Sequence, residues 1–366
     1  MSRRLANRNG DRELHVYVRR EGERQYERIE EQPDLVLLAN TVRGVLDRAF
    51  LLLEDRNGRN GLEAVANGIV TGRRITNGPC LFPDPTRRIQ SIREAILYFL
   101  RTMQSNFPDI YLTRTDGEAS TVRRGLDEPF QSLLDFNPAA AGELRIQYQY
   151  IHNMTQTRNN EEYDRWVFRM ALSVAHELTH FFTGYITGDA RPITPPNVSV
   201  PGWPGGEAGR AWERQTFGGI VEFWSERRDP LQPGEPIIFE NLRNNTPGYR
   251  VSRTYVERFA GGDVQLPIQP SGGARPITRP QLEAARRIEM NEFYGARGNG
   301  RAPAPRTGPS SSQRRAPPTQ ILRFDDDYGS GGPSSGRHRA PLRQVSVVYH
   351  DQGSGGPLSS WKQSSH

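Results

Sequence analysis

The sequence predicts an α+β fold in which one long helix packs beside a small mixed sheet with an exposed edge strand, followed by a disordered tail. Three observations carry that expectation. Apolar residues recur at helical spacing in several segments, one of which holds His176, Glu177 and His180. Strict alternation of apolar and polar residues marks 14–18 and 144–150 as strands. From residue 297 onward Gly, Ser, Pro and Arg dominate, and such a stretch cannot bury enough surface to offset its ordering entropy.

Residues 1–10 are polar and expected to be flexible. Residues 11–296 read as one body, with a first part at 11–140 and a second at 141–296, and 297–366 form the tail. Leu14, Val16 and Val18 alternate with His15 and Tyr17, which predicts a strand. Asp34 is placed to cap a helix running to about Leu53, with Leu38, Val42, Val45, Leu46 and Ala49 on one side. Asp84-Pro85 has the cap-then-proline form of a second helix start, followed by Ile89, Ile92, Ile96, Phe99, Leu100 and Met103. After the strand at 144–150, a polar loop leads into a helix predicted over 161–182, with Gly184 as its stop. A Gly/Pro/Thr-rich loop then runs over 183–206. A short helix at about 206–216, an apolar stretch at 220–224 and a helix at 279–294 complete the body.

Charge and composition exclude several classes. The formal net charge of +6 resides in 297–366, and 1–296 balance. This argues against a nucleic-acid interface on the body. Lys362 is the only lysine, so the body has no Schiff-base lysine and no P-loop lysine. Cys80 is the only cysteine, which excludes an intrachain disulfide and a Cys-rich zinc finger. The charged N-terminus leads to no apolar signal region, and no apolar run is long enough to span a bilayer. The expectation is an intracellular protein, in the cytoplasm, that does not enter a membrane.

The chemistry concentrates at His176-Glu177-Leu178-Thr179-His180. Residues at i and i+4 of a helix lie on one face, so the two imidazoles can converge on one Zn²⁺ at about 2.0–2.1 Å each. Glu177 is offset around the helix, where its carboxylate can act as general base toward a water that the metal activates. A third histidine in the spacing HExxHxxGxxH is absent, because position 183 is Thr and position 186 is Ile. A carboxylate is therefore expected as third ligand. Glu207, flanked by Gly206 and Ala208, is preferred because small neighbours let two helices approach closely. Glu213 and Asp189 are the other candidates.

The combination resembles the gluzincin group of zinc metallopeptidases, with their HExxH helix and a downstream glutamate ligand on a second helix. The core His-Glu-Leu-Thr-His-Phe-Phe with Gly-Gly-Glu-Ala-Gly-Arg also resembles uncharacterised proteins of filamentous fungi. The resemblance covers roughly 140–225. It implies a zincin-like fold, with an upstream edge strand at 144–151 that binds extended peptide. It also implies His176, His180 and Glu207 as zinc ligands, Glu177 as base, and a peptide or protein substrate. Three features depart from the group: the position four after Glu207 is Ala211 rather than an acid, the motif Gly-Ala-Met-Glu-Asn is absent, and the gap between His180 and Glu207 is longer than in its commonest members. An oxyanion-stabilising Tyr or His is also expected, with Tyr255 the first choice and Tyr249, Tyr185 and His152 as others. Glu213 and Glu222 are candidates for orienting the ligating histidines. The alternative to a peptidase is a zinc-stabilised binding protein without catalysis.

Overall fold

The structure is a computed structural model of the 366-residue chain. It describes residues 14–285 except 20–24, 30–31, 33–34, 116, 124–130, 189–192, 204, 226–231 and 274. The segments expected to be flexible at 1–10 and disordered at 297–366 lie outside the described residues, as does the cap expected at Asp34.

Two helices and a strand pair open the chain. β1 (Val16–Val18) pairs antiparallel with β2 (Glu27–Arg28). α1 (Val36–Glu54) buries the apolar stripe read from the sequence, including Val42, Val45, Leu46 and Ala49. α2 (Arg56–Thr76) follows after one residue, Asp55, whose side chain accepts the Asn57 N–H at 2.7 Å. The sequence does not announce α2, because Gly58, Gly61, Gly68 and Gly72 interrupt it. Each such glycine costs about 1 kcal/mol against alanine in a helix interior.

Those glycines are where other parts of the chain press against α2. A Cβ on Gly61 would lie 2.8 Å from the Trp212 ring and 2.4 Å from Thr216 Oγ1. One on Gly68 would meet Val198 at 2.7 Å, and one on Gly72 would meet Asn197 and Pro195 at 2.4 and 2.5 Å. The local weakness of α2 is thus exchanged for close packing of the segment that carries the site.

α3 (Ile92–Ser105) begins later than Asp84-Pro85 predicts, at the N-cap Ser91, whose hydroxyl accepts the Glu94 N–H at 3.2 Å. Asp84 is instead a buried tie between loops. Its carboxylate accepts from Ser132 Oγ at 3.0 Å, Leu133 N at 3.2 Å and Arg88 N at 3.1 Å.

β3 (Asp109–Thr113), β4 (Ala119–Arg123) and β5 (Gly142–Gln147) join β1 and β2 in a mixed sheet of order β2-β1-β3-β5-β4. β1, β3 and β5 are parallel, and β4 runs antiparallel to β5 at the edge. This corrects the strand expected at 144–151 in two ways. The strand ends at Gln147, where α5 (Tyr148–Gln156) begins. It is also interior, hydrogen-bonded to β3 on one side and β4 on the other. The edge strand is β4, whose sequence Ala-Ser-Thr-Val-Arg is too short and mixed to stand out. A four-residue helix, α4 (Pro138–Ala141), precedes β5.

α6 (Asn160–Thr187) is the central helix, capped by Asn159, whose side chain accepts the Glu161 N–H at 2.9 Å. It runs past Gly184 and ends at Gly188, which adopts φ 66° where a side chain would be strained. Trp166, Phe168, Phe182 and Tyr185 are fully buried along it. α7 (Ala208–Phe217) is capped by Glu207, and Gly218 closes it. A second, antiparallel sheet follows: β6 (Ile220–Trp224), β7 (Glu235–Phe239) and β8 (Gly248–Arg250). α8 (Arg253–Ala260) packs back on α6. Of the helix expected at 279–294, residues 279–285 are helical and the rest lies outside the described residues. The chain is thus a mixed α+β fold with two small sheets. Among the described residues no helix is long and apolar enough to cross a membrane.

Candidate metal centre

α6 and α7 bring His176, His180 and Glu207 together. Glu207 Oε1 stands 2.8 Å from His180 Nε2 and 3.4 Å from His176 Nε2, and one donor atom from each residue lies within 4.8 Å of the others. Bonds of about 2.0–2.1 Å to a tetrahedral ion put donor atoms roughly 3.3 Å apart. The spacing is therefore near that of a three-donor metal site, with the His180–Glu207 pair closer than a bound ion would leave it.

The local sequence explains the approach. Gly209 follows Glu207 by two residues, and a Cβ there would lie 2.4–2.5 Å from three atoms of the His176 ring. Only glycine lets the imidazole lie on α7. Gly206 admits a different neighbour: its Cβ would meet the carbonyl oxygens of Thr194 and Pro195 at 2.1 and 2.4 Å, so it seats a loop rather than α6. The glycine at which α6 and α7 meet is Gly209, not the flanking residues that the sequence argument named. Trp212 anchors the other side of α7, with its indole N–H donating to Gly58 O at 3.0 Å.

Glu207 is 3% exposed and does two jobs. Oε2 accepts the backbone N–H of Arg210, which caps α7. Oε1 is buried and has no hydrogen-bond partner among the described residues. Burial opposes the charge of Glu207, but the two imidazoles outweigh it and hold the carboxyl well below its ordinary range. Burial likewise opposes protonation of His176, and the carboxylates of Glu207 and Glu213 hold it well above the ordinary histidine value. A buried carboxylate oxygen without a hydrogen-bond partner, beside two imidazole nitrogens, fits a divalent cation.

Glu213 reaches Nδ1 of His176 at 2.6 Å. Gly209 and Glu213 are four apart on one face of α7, the face that the His176 ring covers. The acid absent at position 211 is thus supplied two residues later. A carboxylate can only accept, so Nδ1 carries a proton in this contact, and Nε2 is the nitrogen that would face a metal. Arg210 holds Glu213 in turn, with one guanidinium nitrogen 3.1 and 3.4 Å from its two oxygens. Sequence reasoning did not single out Arg210 or Gly209, although both stand within the Glu-Ala-Gly-Arg run that identified Glu207.

Glu177 is 7% exposed, and its Oε2 is buried without a hydrogen-bond partner among the described residues. Its backbone oxygen accepts the Thr121 hydroxyl at 3.1 Å, and the His180 carbonyl accepts from Arg123 at 3.1 Å. Edge strand β4 is thereby tied to the turn of α6 that carries His176 and His180.

The remaining candidates are elsewhere. Tyr255 is buried on α8 against Phe168, two helical turns before His176, and the acidic residue near its hydroxyl is Asp55. It makes no hydrogen bond among the described residues, and burial pushes its hydroxyl well above the ordinary value. The structure does not bring it to the site. Tyr185 lies inside an aromatic cluster with Phe99, Phe136 and Phe182. His152 stacks on Tyr148 in α5, and Tyr249 is exposed on β8. Glu222 orients no histidine: it forms a two-pronged pair with Arg279. Asp189 lies outside the described residues. No family model, curated protein or solved structure matches the chain, and the reading of this centre rests on its own geometry.

Proposed function

We propose that the chain is a zinc-dependent metallopeptidase of zincin-like fold. His176, His180 and Glu207 hold the ion, and Glu177 is the general base. The observation that carries this reading is Glu207 Oε1, buried 2.8 and 3.4 Å from the Nε2 atoms of His180 and His176. Among the described residues only these imidazoles face it, and a cation among the three donor atoms would take the place of their protons. Two imidazoles and one carboxylate are a donor set of catalytic rather than closed structural zinc sites.

Zinc in such a site acts as a Lewis acid that eases deprotonation of water at neutral pH and polarises a scissile carbonyl. The protein's own groups do the rest. Glu177 takes the proton of the attacking water and returns it to the leaving amine. Glu213 keeps Nδ1 of His176 protonated, so that Nε2 stays available to the ion. An extended peptide lies along the outer edge of β4, which among the described residues has only β5 as a strand partner, and adds a strand beside the turn that carries the base.

The test has two parts. Purified protein is expected to carry one zinc per chain, lost in His176→Ala. Glu177→Gln is expected to retain zinc and lose peptide hydrolysis by a factor of roughly 10² or more. Wild type without zinc sinks the reading. A second reading, zinc as a non-catalytic cross-link, draws on the capping of α7 by the same Glu207 that faces the histidines. Under that reading zinc removal lowers the melting temperature, and no hydrolysis is detected in wild type.

A further inference from the structure

We propose that Arg210 is a positioning residue for the metal centre, governing two of the three ligands from one place. The inference rests on the metal-binding reading above. Arg210 sits third in α7, and its two ends face two different ligands. Its backbone N–H donates to Glu207 Oε2, leaving Oε1 as the oxygen that faces the histidines. Its guanidinium spans the two oxygens of Glu213 at 3.1 and 3.4 Å, and Glu213 Oε1 holds His176 Nδ1 at 2.6 Å.

The contact matters because a glutamate has three side-chain torsions, and a single contact to an imidazole does not fix them. One guanidinium nitrogen, Nη1, stands over both carboxylate oxygens, nearer Oε2 at 3.1 Å, and so holds Oε2 while Oε1 meets Nδ1. Glu213 is 4% exposed and cannot fall back on solvent for a substitute donor. The result is a chain of contacts from guanidinium to carboxylate to imidazole that ends on the face Nε2 presents to the ion. Backbone and side chain act separately, so substitution of the side chain leaves the Glu207 cap in place.

Arg210→Gln is expected to lower zinc affinity about tenfold, the lower range for partners of metal-bound histidines. Arg210→Lys keeps the charge but not the reach of Nη1, and is expected to recover only part of the loss. Glu213→Gln is expected to lower affinity at least as much as Arg210→Gln, and the double variant no further than Glu213→Gln alone. Affinities are read by competition against a zinc chelator. Co²⁺ absorption provides a second readout, with a changed ligand-field band in Arg210→Gln that the double variant shares with Glu213→Gln. Melting of the zinc-free proteins controls for fold, since a merely structural arginine lowers that melting point and adds to Glu213→Gln. Unchanged affinity in Arg210→Gln, or additive losses in the double variant, overturns the inference. Zinc retained at full affinity in His176→Ala sinks the metal-site reading instead. The two failures are therefore distinguishable.

Discussion

Glu207 Oε1 and His180 Nε2 stand 2.8 Å apart in a pocket where both residues are almost fully buried. One belongs to the cap of a ten-residue helix and the other to the twenty-eight-residue helix beneath it. The pair joins two elements whose sequences give no hint of each other beyond small residues on one side and a histidine on the other. Glu207→Gln tests what the charge contributes. The amide oxygen can still cap α7, but the anion is gone. Zinc affinity is expected to fall by more than about a hundredfold, beyond the range for outer partners, and zinc-free melting to fall as well, because the carboxylate and the imidazoles stabilise each other in the fold. Isothermal titration and thermal melts of the same preparation give both readings.

Gly209→Ala tests the seat of the His176 ring. Alanine is the better helix former by about 1 kcal/mol, but overpacking and the lost Glu213 contact outweigh that gain, and the zinc-free protein is expected to melt lower than wild type. The added methyl meets the His176 ring at three atoms and forces it off α7. Zinc affinity is expected to fall at least about tenfold, as for loss of an outer partner. A variant with intact affinity contradicts the packing described for the ring.

Proton linkage gives the zinc-free protein a dome of stability against pH. His176 is raised in the fold from its ordinary 6.5. Its contribution is full below 6.5 and is lost as pH rises toward the raised folded value. Glu207 is lowered from 4.5, so its contribution is full above 4.5 and is lost as pH falls toward the depressed folded value. Chelated protein is expected to be most stable between these two ordinary values and to weaken on both sides. Saturating zinc requires neutral imidazole and removes the decline on the alkaline side. Melting curves across pH, with and without zinc, check this. A chelated protein whose stability still climbs above pH 6.5 contradicts the sign.

Trp212→Phe probes the seat of α7 on α2. The ring volume largely remains, and the indole hydrogen bond to Gly58 O is lost. Stability is expected to drop by about 1 kcal/mol, the net worth of one hydrogen bond, since helical Gly58 O keeps its own partner within α2, read from denaturant melts. Zinc affinity is expected to fall by a smaller factor than in Gly209→Ala, because Trp212 touches no ligand directly.

The site was more legible than the fold around it, for a physical reason. Two histidines four apart report their own geometry, because a helix repeats every 3.6 residues whatever surrounds it. Glu207 was readable because close approach of two helices demands small residues, although the one at which α6 and α7 meet is Gly209. α2 was not, since its glycines look like helix breakers until the groups they admit are known. Nor was β4, whose five mixed residues acquire meaning only from being last in the sheet. Alternation at 144–150 read as seven strand residues, but the chain turns helical at Tyr148, where tertiary packing overrides the pattern. Tyr255 was assigned by residue type alone, and type does not say which helix face a side chain occupies.

β4 is bound to α6 at two points, Thr121 to the Glu177 carbonyl and Arg123 to the His180 carbonyl. Thr121 and Arg123 are two apart, so both fall on one side of the strand. A single residue inserted between Ala119 and Ser120, with Ala119 held in register, would turn both away and set Ser120 and Val122 in their place, the second an aliphatic group with nothing to donate. The site is thus more vulnerable to a change in chain length at β4 than to most changes of residue there. Lineages carrying this chain are expected to vary the composition of that strand while keeping its count.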